Sequence, residues 1–292
     1  MSYVLLAGFL VFGHVFTRSG KVAQVGWAHY FLHSIYALSE PTILRLTDFL
    51  VTKKLFTQNP IGRAILWLLC ATQPLAPHGV VIPTGVAIRM VRDIEKRTGE
   101  KAHIAVGPCV CQKALGRYAE PTYKDISIWY GAEIYKRFYS DEYRLINADE
   151  AEHIFKECHR AGLTPIVEFC MQSRAWMFVI CNCDSAICCP TRVYNLTGIS
   201  IYPGPYIASQ DDDRCLGKEQ CGACITRCNF DANKTLNGSV FLDGEKCMGC
   251  GLCVTTCRGK ARQLERRADY RGRLLPWEYG KDADVEARRI PG

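Results

Sequence analysis

Several common signatures of enzyme chemistry are missing from this chain. No glycine-rich loop is placed to cradle a phosphate, no dinucleotide fingerprint follows a strand pattern, and no Ser/His/Asp or metal-hydrolase arrangement is present. Nucleotide-dependent and hydrolytic chemistries are excluded on that ground. No carboxylate pair stands out for acid–base work, and the seven histidines are scattered. There is no low-complexity tract. The apolar start, residues 1–16, stops short of the roughly 17 to 25 residues of a spanning helix. It has neither the basic flank nor the small-residue cleavage site of a secretory leader.

Cysteine is what the chain has in quantity, 17 in 292 residues. An odd count without a leader points away from a disulfide framework and toward a reducing cytoplasm, in an organism living with little oxygen. With 48% hydrophobic residues the chain can bury a core and hold more than one domain, and its net charge is a modest +7.

Eight of the cysteines form two groups near the C-terminus. Cys247, Cys250, Cys253 and Cys257 have the spacing C-x2-C-x2-C-x3-C, and Cys215, Cys221, Cys224 and Cys228 form a looser version of it. Three thiolates two residues apart on a tight loop can each hold one iron of a cubane, while the fourth points away and reaches a second cluster. The spacing therefore predicts that Cys247, Cys250 and Cys253 share a cluster with Cys228. Cys215, Cys221 and Cys224 would share the other with Cys257. Gly222, Gly249 and Gly251 lie between ligands, where the backbone must wrap closely, and Asn237-Gly238 reads as the hairpin turn joining the halves.

On these residues the stretch 209–259 resembles the bacterial-type dicluster ferredoxins, which implies two [4Fe-4S] clusters and electron transfer. It departs from that family in two ways. Five residues separate Cys215 from Cys221 where the family has two, and Asn229 and Arg258 stand where a proline usually follows the fourth cysteine. Structural zinc held by four thiolates is the competing reading of the C-x2-C pairs.

A second cysteine-rich stretch precedes this one. Thr84 to Thr98 reads as a helix with Ala87, Met90, Val91 and Ile94 on one face, and His103 to Val106 as a strand feeding Cys109 and Cys111. Asn147 and Glu150 predict a capped helix, and Met177 to Ile180 a strand feeding Cys181 and Cys183, followed by Cys188 and Cys189. Two strands each ending in C-x-C would bring four thiolates to one sheet edge. The stretch 78–192 resembles a module of iron–sulfur proteins from anaerobic bacteria and archaea, carried by His78-Gly79-Val80-Val81-Ile82, Cys109-Val110-Cys111-Gln112, Ala161-Gly162-Leu163 and Cys181-Asn182-Cys183. Gln112 stands where that pattern has arginine. The resemblance implies a further iron–sulfur site, a third [4Fe-4S] cluster, on Cys109, Cys111, Cys181 and Cys183, with Cys188 and Cys189 competing as ligands; zinc and plain buried cysteines are the competing readings. Cys70, Cys158 and Cys170 lie on apolar stretches and read as core.

The expected architecture is α+β. It comprises an apolar helical region (1–78) used as an interface or membrane contact, a small α/β cysteine-rich module (79–206), the dicluster ferredoxin domain (207–259) and a basic tail (260–292). Ser39-Glu40-Pro41 predicts a helix start, and Asn59-Pro60 opens a second helix so apolar that it should be buried on several sides. His29 and His33, four apart, suit ordinary hydrogen bonds better than metal ligation. The tail holds seven basic against two acidic residues between Arg258 and Arg273, which suits a solvated surface or an acidic redox partner. No nucleic-acid motif accompanies the charge. Together these features predict a cytoplasmic electron-transfer subunit of a hetero-complex, with residues 1–16 either buried or packed on another subunit or, as the alternative, in contact with a membrane. The alternative is a reductase that turns over substrate at the middle cysteines.

Overall fold

The structure is a computed structural model that describes residues 13–16, 22–25, 27–71, 78–98, 103–169, 177–268 and 270. Residues 1–12 of the apolar start lie outside that set. The remainder of the start is not helical: β1 (Gly13–Phe16) pairs antiparallel with β2 (Val22–Val25). Three helices follow, α1 (Trp27–Thr52), α2 (Lys54–Thr57) and α3 (Pro60–Ala71).

Helix α1 runs straight through Ser39-Glu40-Pro41, where the sequence predicts a start. Proline cannot donate to the carbonyl four residues back, here that of Ala37. Tyr139 Oη donates to that oxygen at 2.8 Å, so the break in the ladder is repaired from another helix. Asn59 opens α3 as expected, its Oδ1 accepting from Ile61 N at 2.9 Å. The expected burial of α3 on several sides is overturned at its described side chains, because Ile61, Ile65, Trp67 and Leu68 are exposed while Leu66 packs inward, against Val51 and Val193.

The middle of the chain builds a seven-stranded mixed sheet. Its strands are β3 (His78–Val81), β4 (Ile104–Pro108), β5 (Tyr123–Ile128), β6 (Arg144–Leu145), β7 (Thr164–Phe169), β8 (Met177–Cys183) and β9 (Ile201–Tyr202), in spatial order β6-β4-β5-β8-β7-β3-β9. Every pairing is antiparallel except β3 with β9, so helix and strand combine as in the α+β class. Five helices accompany it: α4 (Thr84–Thr98), α5 (Val110–Leu115), α6 (Tyr130–Phe138), α7 (Ala148–Arg160) and α8 (Cys189–Thr197).

The apolar stripe predicted for α4 is fully buried, and it packs with Ile154, Phe155 and Cys158 of α7 in the main core. Asn147 caps α7 by accepting from Glu150 N at 2.8 Å. Helix α6 lies so close to β8 that a Cβ on Gly131 would sit 2.1 Å from the Phe178 carbonyl oxygen. Gly131→Ala is expected to lower stability by about 3 kcal/mol, because a backbone atom cannot move aside; urea unfolding measures this.

The C-terminal part carries two short hairpin-like pairings. β10 (Tyr206–Gln210) pairs with β13 (Arg262–Arg266), and β11 (Asn233–Leu236) pairs with β12 (Ser239–Leu242). Asn237 and Gly238 make the expected turn, with φ of 51° and 84°. Short helices α9 (Gly217–Gln220), α10 (Ala223–Thr226) and α11 (Leu252–Thr255) lie between the strands. The stretch read as a basic tail from residue 260 therefore begins as a paired strand. Arg262 is buried on it, and Arg267 Nε donates to Tyr206 O at 3.0 Å.

This part is fastened to the middle sheet by polar contacts. Asn229 Nδ2 donates to Gly162 O and to Thr164 Oγ1, each at 3.0 Å, and Arg227 donates to the His159 and Arg160 carbonyls at the C-terminal end of α7. Asn229, which stands where the resembled family has proline, thus serves as a tether between the two parts. His159 bridges the same boundary, with Nδ1 2.9 Å from Thr84 Oγ1 and Nε2 2.7 Å from Thr255 Oγ1.

Burial lowers the His159 pKa from 6.5 to about 4. Between those values the unfolded chain binds a proton that the native chain refuses, so stability is complete above pH 6.5 and falls as the pH drops toward 4. The loss is on the order of 3 kcal/mol. Urea midpoints compared at pH 7 and pH 5, in the native chain and in His159→Gln, measure it, and the variant's slope is expected to be flatter.

Candidate cysteine centres

The two halves of the C-terminal part repeat one local design. In each, a glycine with positive φ (Gly222 at 62°, Gly251 at 82°) starts a one-turn helix that carries a cysteine as its second residue, Cys224 or Cys253. Four residues after the last cysteine of each half, a backbone N–H returns to its sulfur: Ala232 N to Cys228 Sγ at 3.3 Å and Ala261 N to Cys257 Sγ at 3.2 Å. Glycine is required at Gly249, where φ is 76° and a Cβ would lie 2.1 Å from Tyr206 O.

Cys228, Cys247, Cys250 and Cys253 lie within electrostatic reach of one another. Cys253 is raised well above the ordinary thiol range, first by burial and then by Cys250, Cys247 and Cys228, while burial pushes Cys250 up to about 12. Cys247 Sγ accepts from Ala208 N at 3.5 Å. Cys215 and Cys224 share one apolar cluster with Cys228, Cys247 and Cys253, and Cys224 is raised by burial with Cys215 adding to it. Arg262 is buried beside them, with Nη2 donating to Cys224 Sγ at 3.9 Å and Nη1 lacking a hydrogen-bond partner. Cys221 is the half-buried residue that ends α9.

The middle cysteines also converge. β4 and β8 flank β5 and both run antiparallel to it, so their C-terminal ends reach the same sheet edge. Cys109 and Cys111 leave the end of β4, while Cys181 and Cys183 end β8. A cavity of about 50 Å³ at this edge is lined by Cys109, Cys111, Cys181, Cys183 and Cys188.

The hub, however, is Cys188, which the sequence ranks only as a competitor. Its thiol is lowered well below the ordinary range, first by hydrogen bonding from Cys111 and next from Cys183. Thr191 Oγ1 adds a donor at 3.3 Å. Cys188 precedes α8 and so meets the positive end of that helix. Cys111 is raised by Cys188 and then Cys189, so Cys189 also touches the group, while its own thiol faces Leu44 O at 3.6 Å. Cys109 lies at the cavity wall and is pushed up to about 12 by burial. Cys158 is core, as expected; Cys170 lies outside the described residues, and Cys70 is on α3.

The cavity has a polar wall that sequence reasoning missed. Glu40 comes from α1, Lys124 and Asp125 from β5, and Glu168 from β7. Burial raises Glu40 and Glu168 to about 8 each and holds Asp125 well above the carboxylate range. Burial thus favours the protonated form of all three acids. Tyr135 Oη donates to Glu40 Oε2 at 2.6 Å, and Tyr143 Oη to Asp125 Oδ2 at 3.0 Å. The signal for Glu168 was a single acid within the apolar strand Thr164–Phe169; for Arg262 it was strand alternation, which puts it on the same face as buried Leu264. His33, by contrast, faces Tyr130 Oη at 3.2 Å and joins no cysteine.

The two centres share an apolar neighbourhood. Ile166, Phe230 and Met248 pack with Cys181, Cys183 and Cys188 on one side and with Cys228 and Cys250 on the other, and Cys250 bonds to Thr164 of β7.

Among the described residues, no three Cys, His, Asp or Glu side chains converge closely enough to hold a single metal ion. A cubane takes one thiolate per iron and spreads its sulfurs more widely. The all-sulfur donors, the N–H groups aimed at sulfur and the buried guanidinium of Arg262, whose Nη1 has no hydrogen-bond partner, all fit an anionic cluster. No family model, curated protein or solved structure matches the chain.

Proposed function

We propose that the chain is an iron–sulfur electron-transfer protein, a subunit of an anaerobic redox complex. In this reading residues 206–267 form a dicluster ferredoxin-like domain on a cysteine-rich α/β module. The observation that carries the reading is the grouping of Cys228 from the first half with Cys247, Cys250 and Cys253 from the second. In this reading Cys257 takes the reciprocal place beside Cys215, Cys221 and Cys224, which the repeat of local geometry at Ala232–Cys228 and Ala261–Cys257 supports. A bound [4Fe-4S] cluster would supply one-electron chemistry at each site.

The chain's own residues set the conditions for that chemistry. Ala208, Ala232 and Ala261 donate N–H groups to cysteine sulfur, and Arg262 offsets negative charge. Ile166, Phe230 and Met248 exclude water between the inner C-terminal site and the middle cysteines. The middle cysteines would then be the third station, holding a cluster or zinc, with Cys188 in the ligand set.

A reductase reading is favoured by one observation. The middle cavity has more thiols than one centre needs, and Glu40, Glu168 and Asp125, whose protonated forms burial favours, line it beside them as candidate proton donors. Iron and acid-labile sulfide analysis with EPR of the reduced protein tests the main reading. About eight irons per chain supports two clusters and about twelve adds the middle site; zinc in their place overturns the proposal. Turnover of a small molecule by the isolated chain with a chemical reductant would select the reductase.

A further inference from the structure

Helix α1 is apolar on two opposite sides. Residues Tyr30, His33, Ala37, Glu40 and Leu44 face inward. Ile35, Leu38, Leu46 and Phe49 recur at helical spacing on the far side and are exposed, with Lys53 continuing their line. On α3, Ile61, Ile65 and Leu68 repeat the pattern, and Trp67 beside them is 52% exposed. An outward stripe of this size on a soluble monomer marks a contact surface.

The charges nearby identify the occupant. Between residues 27 and 71 the only acids are Glu40 and Asp48. Glu40 is buried at the cysteine cavity, and Asp48 is paired with Arg117 and Arg192. Lys53, Lys54 and Arg63 are exposed at the junction of the helices, where Leu55 is exposed too. The outward face thus combines large apolar side chains, a tryptophan and unopposed cations. That combination suits the interface of a bilayer with anionic headgroups.

We propose that the outward faces of α1 and α3 seat on an anionic lipid surface and hold the protein against one leaflet. No described helix is long and apolar enough to cross a membrane, and this seat needs none. It moves the membrane contact from residues 1–16 to the outer face of α1 and α3. Because Tyr36, Glu40 and Leu44 of α1 line the cysteine cavity, the middle centre would lie about one helix diameter, roughly 10–12 Å, behind the lipid-facing side.

Sedimentation with vesicles tests the proposal on the full chain, independently of any cluster. Binding to vesicles containing phosphatidylglycerol is expected to exceed binding to pure phosphatidylcholine by more than about tenfold and to weaken with salt. Leu46→Glu with Phe49→Glu on α1, and Ile65→Glu on α3, are each expected to release the protein. A Lys53→Gln, Lys54→Gln, Arg63→Gln variant, which keeps the apolar stripes and the fold, is expected to lose the preference for anionic lipid. Absence of vesicle binding overturns the proposal, as does equal binding to both lipids. So does light scattering that shows a dimer broken by the same glutamate variants without vesicle binding, which would assign the face to a second copy.

Discussion

Cys250→Ala is expected to take the iron content from about eight to about four per chain, or from about twelve to about eight if the middle site is filled. Cys250 stands at the junction of the two centres, grouped with Cys228 and Cys247 and bonded to Thr164 of the middle sheet. Removing it deletes one thiolate of the inner site and the contact nearest the middle cysteines. Reduction of the middle centre by a donor docked at the outer site is therefore expected to fall to background. Cys158→Ala is the control. Cys158 is fully buried on α7 and part of the main core, so its loss is expected to lower stability by roughly 1–2 kcal/mol and leave the iron unchanged. Equal iron in Cys250→Ala and the native chain would remove Cys250 from the ligand set and with it the reading of the second cysteine group.

Arg262→Met is expected to shift the potential of the site next to Cys224 downward by on the order of 100 mV. The guanidinium is buried and lies 3.9 Å from Cys224 Sγ. A unit charge about 6 Å from a redox centre, at an effective dielectric near 20, contributes roughly 3 kcal/mol, which is about 100 mV for one electron. Losing the positive charge disfavours the more negative, reduced state, hence the sign. The site beside Cys228 and Cys247 is expected to move less. Protein-film voltammetry of variant and native chain resolves the two, and an unchanged potential at both sites would separate Arg262 from the redox chemistry. Methionine keeps the apolar stem of the side chain though not its full length, so much of the packing is preserved.

Much of the candidate chemistry was legible because it is local. A C-x2-C-x2-C-x3-C run, glycines between ligands and an Asn-Gly turn specify backbone paths over a few residues, and the structure follows them at Gly222, Gly249, Gly251 and Asn237-Gly238. The α4 stripe and the Asn147 cap were readable for the same reason. Errors came where distant parts of the chain decide. Ser39-Glu40-Pro41 should start a new helix, but α1 runs on through it because Tyr139, nearly a hundred residues on, supplies the missing donor to Ala37. An all-apolar α3 should be buried, but the fold leaves Ile61, Ile65, Trp67 and Leu68 exposed.

By itself, then, the sequence determined the thiol groups, their spacing and the turns that hold them, since short-range sterics and hydrogen bonds suffice for those. Tertiary structure decided what no local pattern encodes. The antiparallel order β4-β5-β8 brings two C-x-C ends to one edge, and the approach of α8 makes Cys188 the hub of the middle group. Packing of β5, β7 and α1 around that edge buries three carboxyl groups beside thiols. Asn229, Arg227 and His159 fix the distance between the two centres. These are all long-range contacts, and their partners are chosen by the burial of surfaces far apart in the chain, which is why only the folded structure could supply them.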